Sequence, residues 1–399
     1  MKAEILPGPV MDTNKLNRPN FWDAMPPLWN SDREDSLVCC QVRAETHDVK
    51  SFFFATPDGS GFIFQPGQFI TLELEINGEA INRCYTVSSS PARPHAISIT
   101  VKRVPGGPVS NWLHDNLKAG DKVKVLQPAG EFTCAIHPAD KYLFLSAGSG
   151  ITPLMSMTRA HHDLCDDRDI VFIHSARTPD DIIFERELGL IAASQQNFKT
   201  RFICERLGQR RDWPGPTGML SLAALKLMAP DFMEREIFVC GPAPYMKAVR
   251  NMLDEAGFER ARYHEESFSF ETLQLETEQV STANGAINEE KNGAENGAEN
   301  GATPTSSEPA ALTGFEINFQ KSNRQIVCGP QQHVLEAARN AGVRLASSCA
   351  QGMCGTCKVK LISGSVDMQH KGGIRQREID QGMVLLCCSK PLSNLVVDK

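Results

Sequence analysis

Residues 347–361 read SSCAQGMCGTCKVKL. Cys349, Cys354 and Cys357 fall within nine residues, with Gly352 and Gly355 between them. The chain has 399 residues and thirteen cysteines, an odd number, which argues against a disulfide framework. MKAEILPGPVMDTNKLNRPN at residues 1–20 has no apolar h-region. No run of about 18 apolar residues is present, so no membrane span is expected. A cytoplasmic protein is expected, with Cys84, Cys134, Cys165 and Cys204 as buried, inert thiols. Only the C-terminal group has ligand spacing. It follows a helical pattern, QQHVLEAARNAG (331–342), and precedes a strand pattern, KVKL.

The segment containing this loop is set off by a compositional break. Residues 271–311 repeat N-G-A-E, contain no aromatic residue, and carry eight Glu and one Lys, a net of −7. The whole chain also nets −7, so the rest is near neutral, which gives no support to nucleic-acid binding. Such a segment cannot bury enough apolar area to offset the entropy of ordering, and a disordered linker is expected. Before it, short runs such as FFFAT, QFITLEL, RCYTVSS, AISITVKRV and KVKVLQ read as a small antiparallel barrel. From Lys141 the rhythm becomes strand then helix: KYLFLSAG then ITPLMSMTRAHH, DIVFIHSA then FERELGLIAAS, REIFVCGP then YMKAVRNMLDEAG. That alternation implies a parallel α/β sheet. The expected divisions are an N-terminal extension (1–36), a barrel (37–137), an α/β domain (138–270), the linker (271–311) and a small C-terminal domain (312–399).

Two glycine-rich turns carry chemistry. AGSGITP (147–153) follows a strand and opens a helix, placing Gly148, Gly150 and Thr152 where backbone N–H groups suit a pyrophosphate. It is not the G-x-G-x-x-G fingerprint, so another nucleotide-binding α/β fold is implied. RVPGGPVSNWLHDNL puts Gly106, Gly107 and Ser110 before a second helix, again an anion site. In RCYTVSSSP, Arg83 offers a fork for phosphate, Tyr85 a flat face for a ring, and Thr86 a hydroxyl for a ring nitrogen. FVCGPAPYM places Cys240, Gly241 and Pro242 at the carboxyl end of a strand, the edge where open α/β sheets bind ligands.

Together, Arg-x-Tyr-Thr-x-Ser, Gly-Gly-x-x-Ser, Gly-x-Gly-Ile-Thr-Pro and Cys-Gly-Pro resemble the ferredoxin–NADP reductase superfamily over about residues 38–270. The resemblance implies that Arg83, Tyr85, Thr86, Gly107 and Ser110 hold FAD, and that Thr152 and Cys240 flank the nicotinamide. Thr86 and Cys240 are then the catalytic pair. Ser175 and Arg177, within HSAR, are expected near the adenosine ribose. Glu266 and Phe268, within HEESF, are expected to close over the flavin.

The C-x4-C-x2-C spacing is that of a plant-type [2Fe–2S] centre. Four thiolates also suit Zn²⁺, though zinc sites more often show two C-x2-C knuckles. A fourth ligand comes from Cys387 or its neighbour Cys388 in VLLCCSKP. The family pattern implies Cys387. The expected fold is multidomain: an antiparallel β-barrel for FAD, a parallel α/β nucleotide-binding domain, and a C-terminal β-grasp [2Fe–2S] ferredoxin domain. NAD(P)H gives electrons in pairs and the cluster takes one at a time, so FAD belongs between them. Arg177 could pair a 2′-phosphate, but the resembled family mostly uses NADH, which is the expected donor.

Domain order and the stretches QPGQFITLELEINGEAINRCYTVSSSP, ITVKRVPGGPVSNWLHD, HSARTPDDIIFERELGLIA and GMCGTCKV resemble reductase components of Rieske oxygenases that demethylate glycine betaine and stachydrine. The expected partner is a separate Rieske-type oxygenase. Alternatives are the NADH reductase of the hybrid-cluster protein, a phthalate-type reductase using FMN, and a non-enzymatic [2Fe–2S] redox sensor.

Overall fold

The computed structural model describes residues 27–268, 314–343 and 345–399. The expected linker, residues 271–311, and most of the expected N-terminal extension lie outside the described residues.

Six strands form the first unit: β1 (Ser36–Thr46), β2 (Val49–Ala55), β3 (Phe69–Ile76), β4 (Glu79–Thr86), β5 (Ile97–Lys102) and β6 (Lys122–Ala129). Their order is β4-β3-β6-β1-β2-β5, with antiparallel neighbours throughout. Val87, just past β4, bridges to Ile99 of β5 and curls the sheet into a barrel. The core is aliphatic and aromatic, with Phe52, Phe54, Ile70, Leu72, Ile97 and Ile99 fully buried. Helix α1 (Pro108–Asn116) lies between β5 and β6, with proline in its first turn, where a missing N–H costs nothing. Ahead of β1, Trp29 packs on Phe62 with ring centroids 5.5 Å apart, so the start of the described chain is tied to the barrel.

The second unit is a parallel sheet ordered β11-β10-β7-β8-β9. Its strands are β7 (Lys141–Ala147), β8 (Asp169–Ala176), β9 (Phe198–Cys204), β10 (Glu236–Gly241) and β11 (Tyr263–Ser267). Helices α2 (Ile151–Asp163), α3 (Glu185–Ser194), α4 (Leu222–Met228) and α5 (Ala243–Glu255) make the crossovers. Strands β7 and β10 are apolar almost without a break because helices cover both faces. Arg235 is 2% exposed yet paired, donating to Asp231, Asp169 and the Tyr142 carbonyl at 2.8–3.1 Å. A buried guanidinium is tolerated because its donors are so fully occupied.

The third unit holds β12 (Phe315–Phe319), β13 (Arg324–Cys328), α6 (Val334–Asn340), β14 (Lys358–Ser363), β15 (Val366–Met368), α7 (Gln376–Asp380), β16 (Met383–Leu385), β17 (Ser389–Pro391) and β18 (Leu395–Val397). The expected hairpin is β12–β13, and the sheet runs β13-β12-β18-β14-β16 around α6. Val334, Leu335, Ala337 and Ala338 bury one face of α6 against that sheet.

Candidate cofactor site at the domain junction

Strand β4 brings Arg83, Tyr85 and Thr86 to the wall of a cavity of about 880 Å³. Gly107 and Ser110 join from the start of α1, Ser149 and Thr152 from the turn into α2, and Gly241 and Pro242 from the end of β10. Glu266 and Phe268 close it from the end of β11. All three units meet here, because Ser348, Cys349, Gln351 and Met353 of the cysteine loop also line it.

Helix α2 holds this arrangement in register. Arg159 donates to the Ser88 carbonyl at 2.5 Å and makes a two-pronged pair with Glu187, both at 2.7 Å. Ser156 Oγ donates to the Ser89 carbonyl at 2.8 Å. Ser88 and Ser89 lie two and three residues past Thr86, so the helix whose first turn carries Thr152 fixes the strand end carrying Thr86. Such bidentate, charge-assisted bonds are the strong ones.

The residues present fit a flavin and a nucleotide. Thr86 Oγ1 and Glu266 Oε2 are buried without a hydrogen-bond partner, as groups reserved for a ligand would be. Ser110 Oγ instead works inside the glycine turn, accepting from Val104 N at 3.1 Å and donating to the Gly107 carbonyl at 3.4 Å. It shapes the loop that brings Gly107 to the cavity wall. Glu266 is half-buried on the wall, and desolvation pushes its carboxyl up to about 8. It is therefore mostly protonated at neutral pH.

Gly106, Gly148, Gly150, Ser175, Arg177 and Cys240 are not on the cavity wall. Gly106 and Gly148 are the left-handed residues of their turns, with φ of 72° and 53°. Gly150 is a packing glycine: a Cβ there would lie 2.3 Å from the Cys240 carbonyl oxygen. The Cys240 side chain is fully buried, and desolvation, with Glu266 beside it, pushes its thiol well up. Ser175 is half-buried one residue before the end of β8, and Arg177 stands exposed just past that end. His174 is a core residue, sharing a 2.7 Å hydrogen bond with Ser146 and pushed down to about 3 by burial.

The cysteine loop is a nest of backbone N–H groups aimed at sulfur. Gln351 N and Met353 N donate to Cys349 Sγ at 3.4 and 3.3 Å, Cys349 N to Cys354 Sγ at 3.5 Å, and Cys387 N to Cys357 Sγ at 3.5 Å. Gly352 N donates to Cys387 Sγ at 3.2 Å, whereas Cys388 Sγ turns to the Leu385 carbonyl. Ala350, Gly352 and Gly355 all have positive φ, which folds the loop back on itself. Donors around thiolates offset negative charge, the condition for holding an iron–sulfur cluster.

This loop is docked on the barrel. Glu73 of β3 pairs with Lys358 at 2.8 Å and with Arg375 at 2.5 Å, and Arg375 also donates to the Val125 carbonyl at 2.9 Å. Burial works to raise the Glu73 carboxyl, but Lys358 and Arg375 together hold it below its ordinary value. Asn82 Nδ2 donates to the Gly355 carbonyl at 3.2 Å. Outer pairs join Lys371 to Glu131 and Arg377 to Asp35.

Sequence reasoning missed Ser149, Phe132, His137, Cys84 and Met353, which also line the cavity. Cys84 is half-buried on the cavity wall rather than in the core, and Cys165 is exposed at φ 52°. Ser149 could have been found, since it lies inside the quoted glycine motif. Cys84 and Met353 also lie inside quoted stretches, but their place on the wall, like that of Phe132 and His137, is decided by the fold.

Comparison with known proteins agrees with this layout. The chain matches the oxidoreductase FAD-binding domain over residues 38–134, the oxidoreductase NAD-binding domain over 144–251 and the 2Fe-2S iron-sulfur cluster binding domain over 317–392. It is 44% identical over 360 residues to the glycine betaine monooxygenase reductase subunit of Pseudomonas aeruginosa (strain UCBPP-PA14), covering 90% of this chain and 94% of that one. It is 39% identical over 364 residues to the stachydrine N-demethylase reductase subunit of Rhizobium meliloti, covering 91% and 96%. The fold is shared with phthalate dioxygenase reductase, at 24% identity and a TM-score of 0.53 over 92% of this chain and 99% of that one. No helix among the described residues is long and apolar enough to cross a membrane.

Proposed function

The chain belongs to the family of monooxygenase reductase subunits that join FAD-binding, NAD-binding and [2Fe–2S] domains, and we propose that it uses NADH to supply a Rieske-type oxygenase that demethylates glycine betaine or a similar quaternary ammonium compound. When bound, FAD takes an electron pair from NADH and releases electrons singly to the [2Fe–2S] cluster. The observation that carries the proposal is the docked cysteine loop on the wall of the flavin cavity, in a chain this similar to betaine reductase subunits.

In this reading Cys349, Cys354, Cys357 and Cys387 ligate the cluster, supported by the N–H donors on their sulfurs. Arg83, Tyr85, Thr86, Gly107 and Ser110 would hold FAD, Thr86 through its unpartnered Oγ1. Gly148, Gly150 and Thr152 shape the nucleotide turn, Gly241, Pro242 and Cys240 its far edge, and Ser175 and Arg177 the adenosine end. Glu266 would offer a proton-bearing carboxyl on the wall of the flavin cavity, and Phe268 would shield that wall from water.

Formaldehyde release tests the proposal. The holoprotein is mixed with NADH, O₂, glycine betaine and a betaine-class Rieske oxygenase. Formaldehyde that requires this protein is the expected result. Its absence, with NADH still reducing cytochrome c, would keep the reductase and assign it another oxygenase.

A further inference from the structure

Two histidines and a glutamate converge at one edge of the cavity, and none of the three has a part in holding FAD, NADH or the cluster. Glu236 opens β10 and His264 is the second residue of β11, with Phe238 paired in parallel register to His264. Alternate residues of a strand share a face, so Glu236, Phe238 and His264 point to the same side of the sheet. His137 comes from the connection between the barrel and β7, where the Tyr142 hydroxyl donates to its main-chain carbonyl at 3.1 Å. Its ring stacks on His264, with centroids 3.7 Å apart and planes 23° from parallel. His264 Nε2 lies 2.5 Å from Glu236 Oε1. One side-chain ligand atom from each of the three lies within 4.8 Å of the other two.

The surroundings suit a cation. All three residues are half-buried, the Glu236 and His264 side chains being 13% and 14% exposed. The Phe238 ring backs both imidazoles, with centroids 4.8 Å from His264 and 6.1 Å from His137. An ion pair between His264 and Glu236 would account for those two residues alone. It leaves His137 face to face with His264, without a hydrogen-bond partner for its ring among the described residues. Two charged imidazoles at that separation would repel, so at least one ring is neutral and keeps a lone pair. We propose that His137, Glu236 and His264 form a site for a divalent transition cation of the Zn²⁺ class, held by two imidazoles and one carboxylate. That donor set leaves a coordination position open, and His137 and His264 both line the cavity. A cation there would tie the connection from the barrel to the strand that carries Glu266.

The test is equilibrium dialysis of the full-length holoprotein against Zn²⁺, with bound zinc, iron and flavin counted together. The parent should take up one Zn²⁺ per chain and keep its iron and flavin. His137→Gln, Glu236→Gln and His264→Gln should each weaken uptake at least about tenfold, a loss that even an indirect partner of a metal ligand can bring. His47→Gln should not, although His47, Asp48 and Asp181 form a second, more exposed group. Zinc-edge X-ray absorption of the parent should show two imidazoles and no sulfur at about 2.3 Å. It decides the matter if a variant loses iron or flavin. A sulfur shell or fewer than two imidazoles overturns the site. So does a parent that takes up no zinc, uptake unchanged in all three variants, or uptake lost only in His47→Gln. The reductase reading stands in each of these cases, because its cofactors are counted separately.

Discussion

At the residue scale, the adjacent pair Cys387 and Cys388 shows how geometry separates identical side chains. Gly352 N–H reaches the Cys387 sulfur, while Cys388 turns to a main-chain carbonyl. Cys387→Ser is therefore expected to abolish the visible absorption and iron content of the cluster, and Cys388→Ser to retain both. Glu266 makes a second case. Its folded pKa of about 8 lies above the ordinary 4.5, so the folded chain holds a proton that the unfolded chain releases between those values. The stability tied to this group is fully present below 4.5 and falls as pH rises toward 8. Thermal unfolding of Glu266→Gln from pH 5 to 9 should show a flatter decline than the parent. Equal slopes would remove Glu266 from the titration.

At the element scale, the turn from β7 into α2 is packed directly on main chain. A Cβ on Gly150 would meet the Cys240 carbonyl oxygen at 2.3 Å and Gly241 N at 2.5 Å, both main-chain atoms that cannot swing away. Gly150→Ala should cost about 1–3 kcal/mol of stability, as overpacking does. It should also raise KM for NADH, since both chain segments border the cavity. Calorimetry and steady-state kinetics read the two effects, and a variant with parental Tm and KM would show that the turn can relax. The strand–helix rhythm of this domain was legible because parallel strands buried on both faces are apolar runs. Strand β1 was harder to read: it buries only Leu37 and Cys39, and its second half is partly solvated, so its apolar signal is weak. Helix α4 buries Leu225 alone in its seven residues and gave no periodic signal.

At the scale of the whole molecule, the ferredoxin domain is held by a few charges of unequal weight. Lys371 and Glu131 are more than half exposed, and such pairs contribute little. Glu73 and Arg375 are 15% and 4% exposed, so losing one partner strands the other. Glu73→Gln should weaken docking by about 3 kcal/mol, the lower range for breaking a buried pair, because Glu378 remains 3.5 Å from Arg375. Reduction of cytochrome c through the cluster should fall, while reduction of ferricyanide directly from the flavin should hold. An equal fall in both would place the effect in the barrel itself.

The sequence by itself determined the three units and their chemistry. Hydrophobic period separates barrel from α/β sheet, glycine turns mark the anion sites, and C-x4-C-x2-C marks the cluster loop, because each depends on residues close together in the chain. The tertiary structure alone decided which groups face one another. It set Glu73 against Arg375, Arg159 against Ser88, and Asn82 against Gly355, contacts between residues 71 to 302 positions apart. No local pattern encodes such distances. They arise when separately folded surfaces dock, and the path from flavin to cluster exists only there.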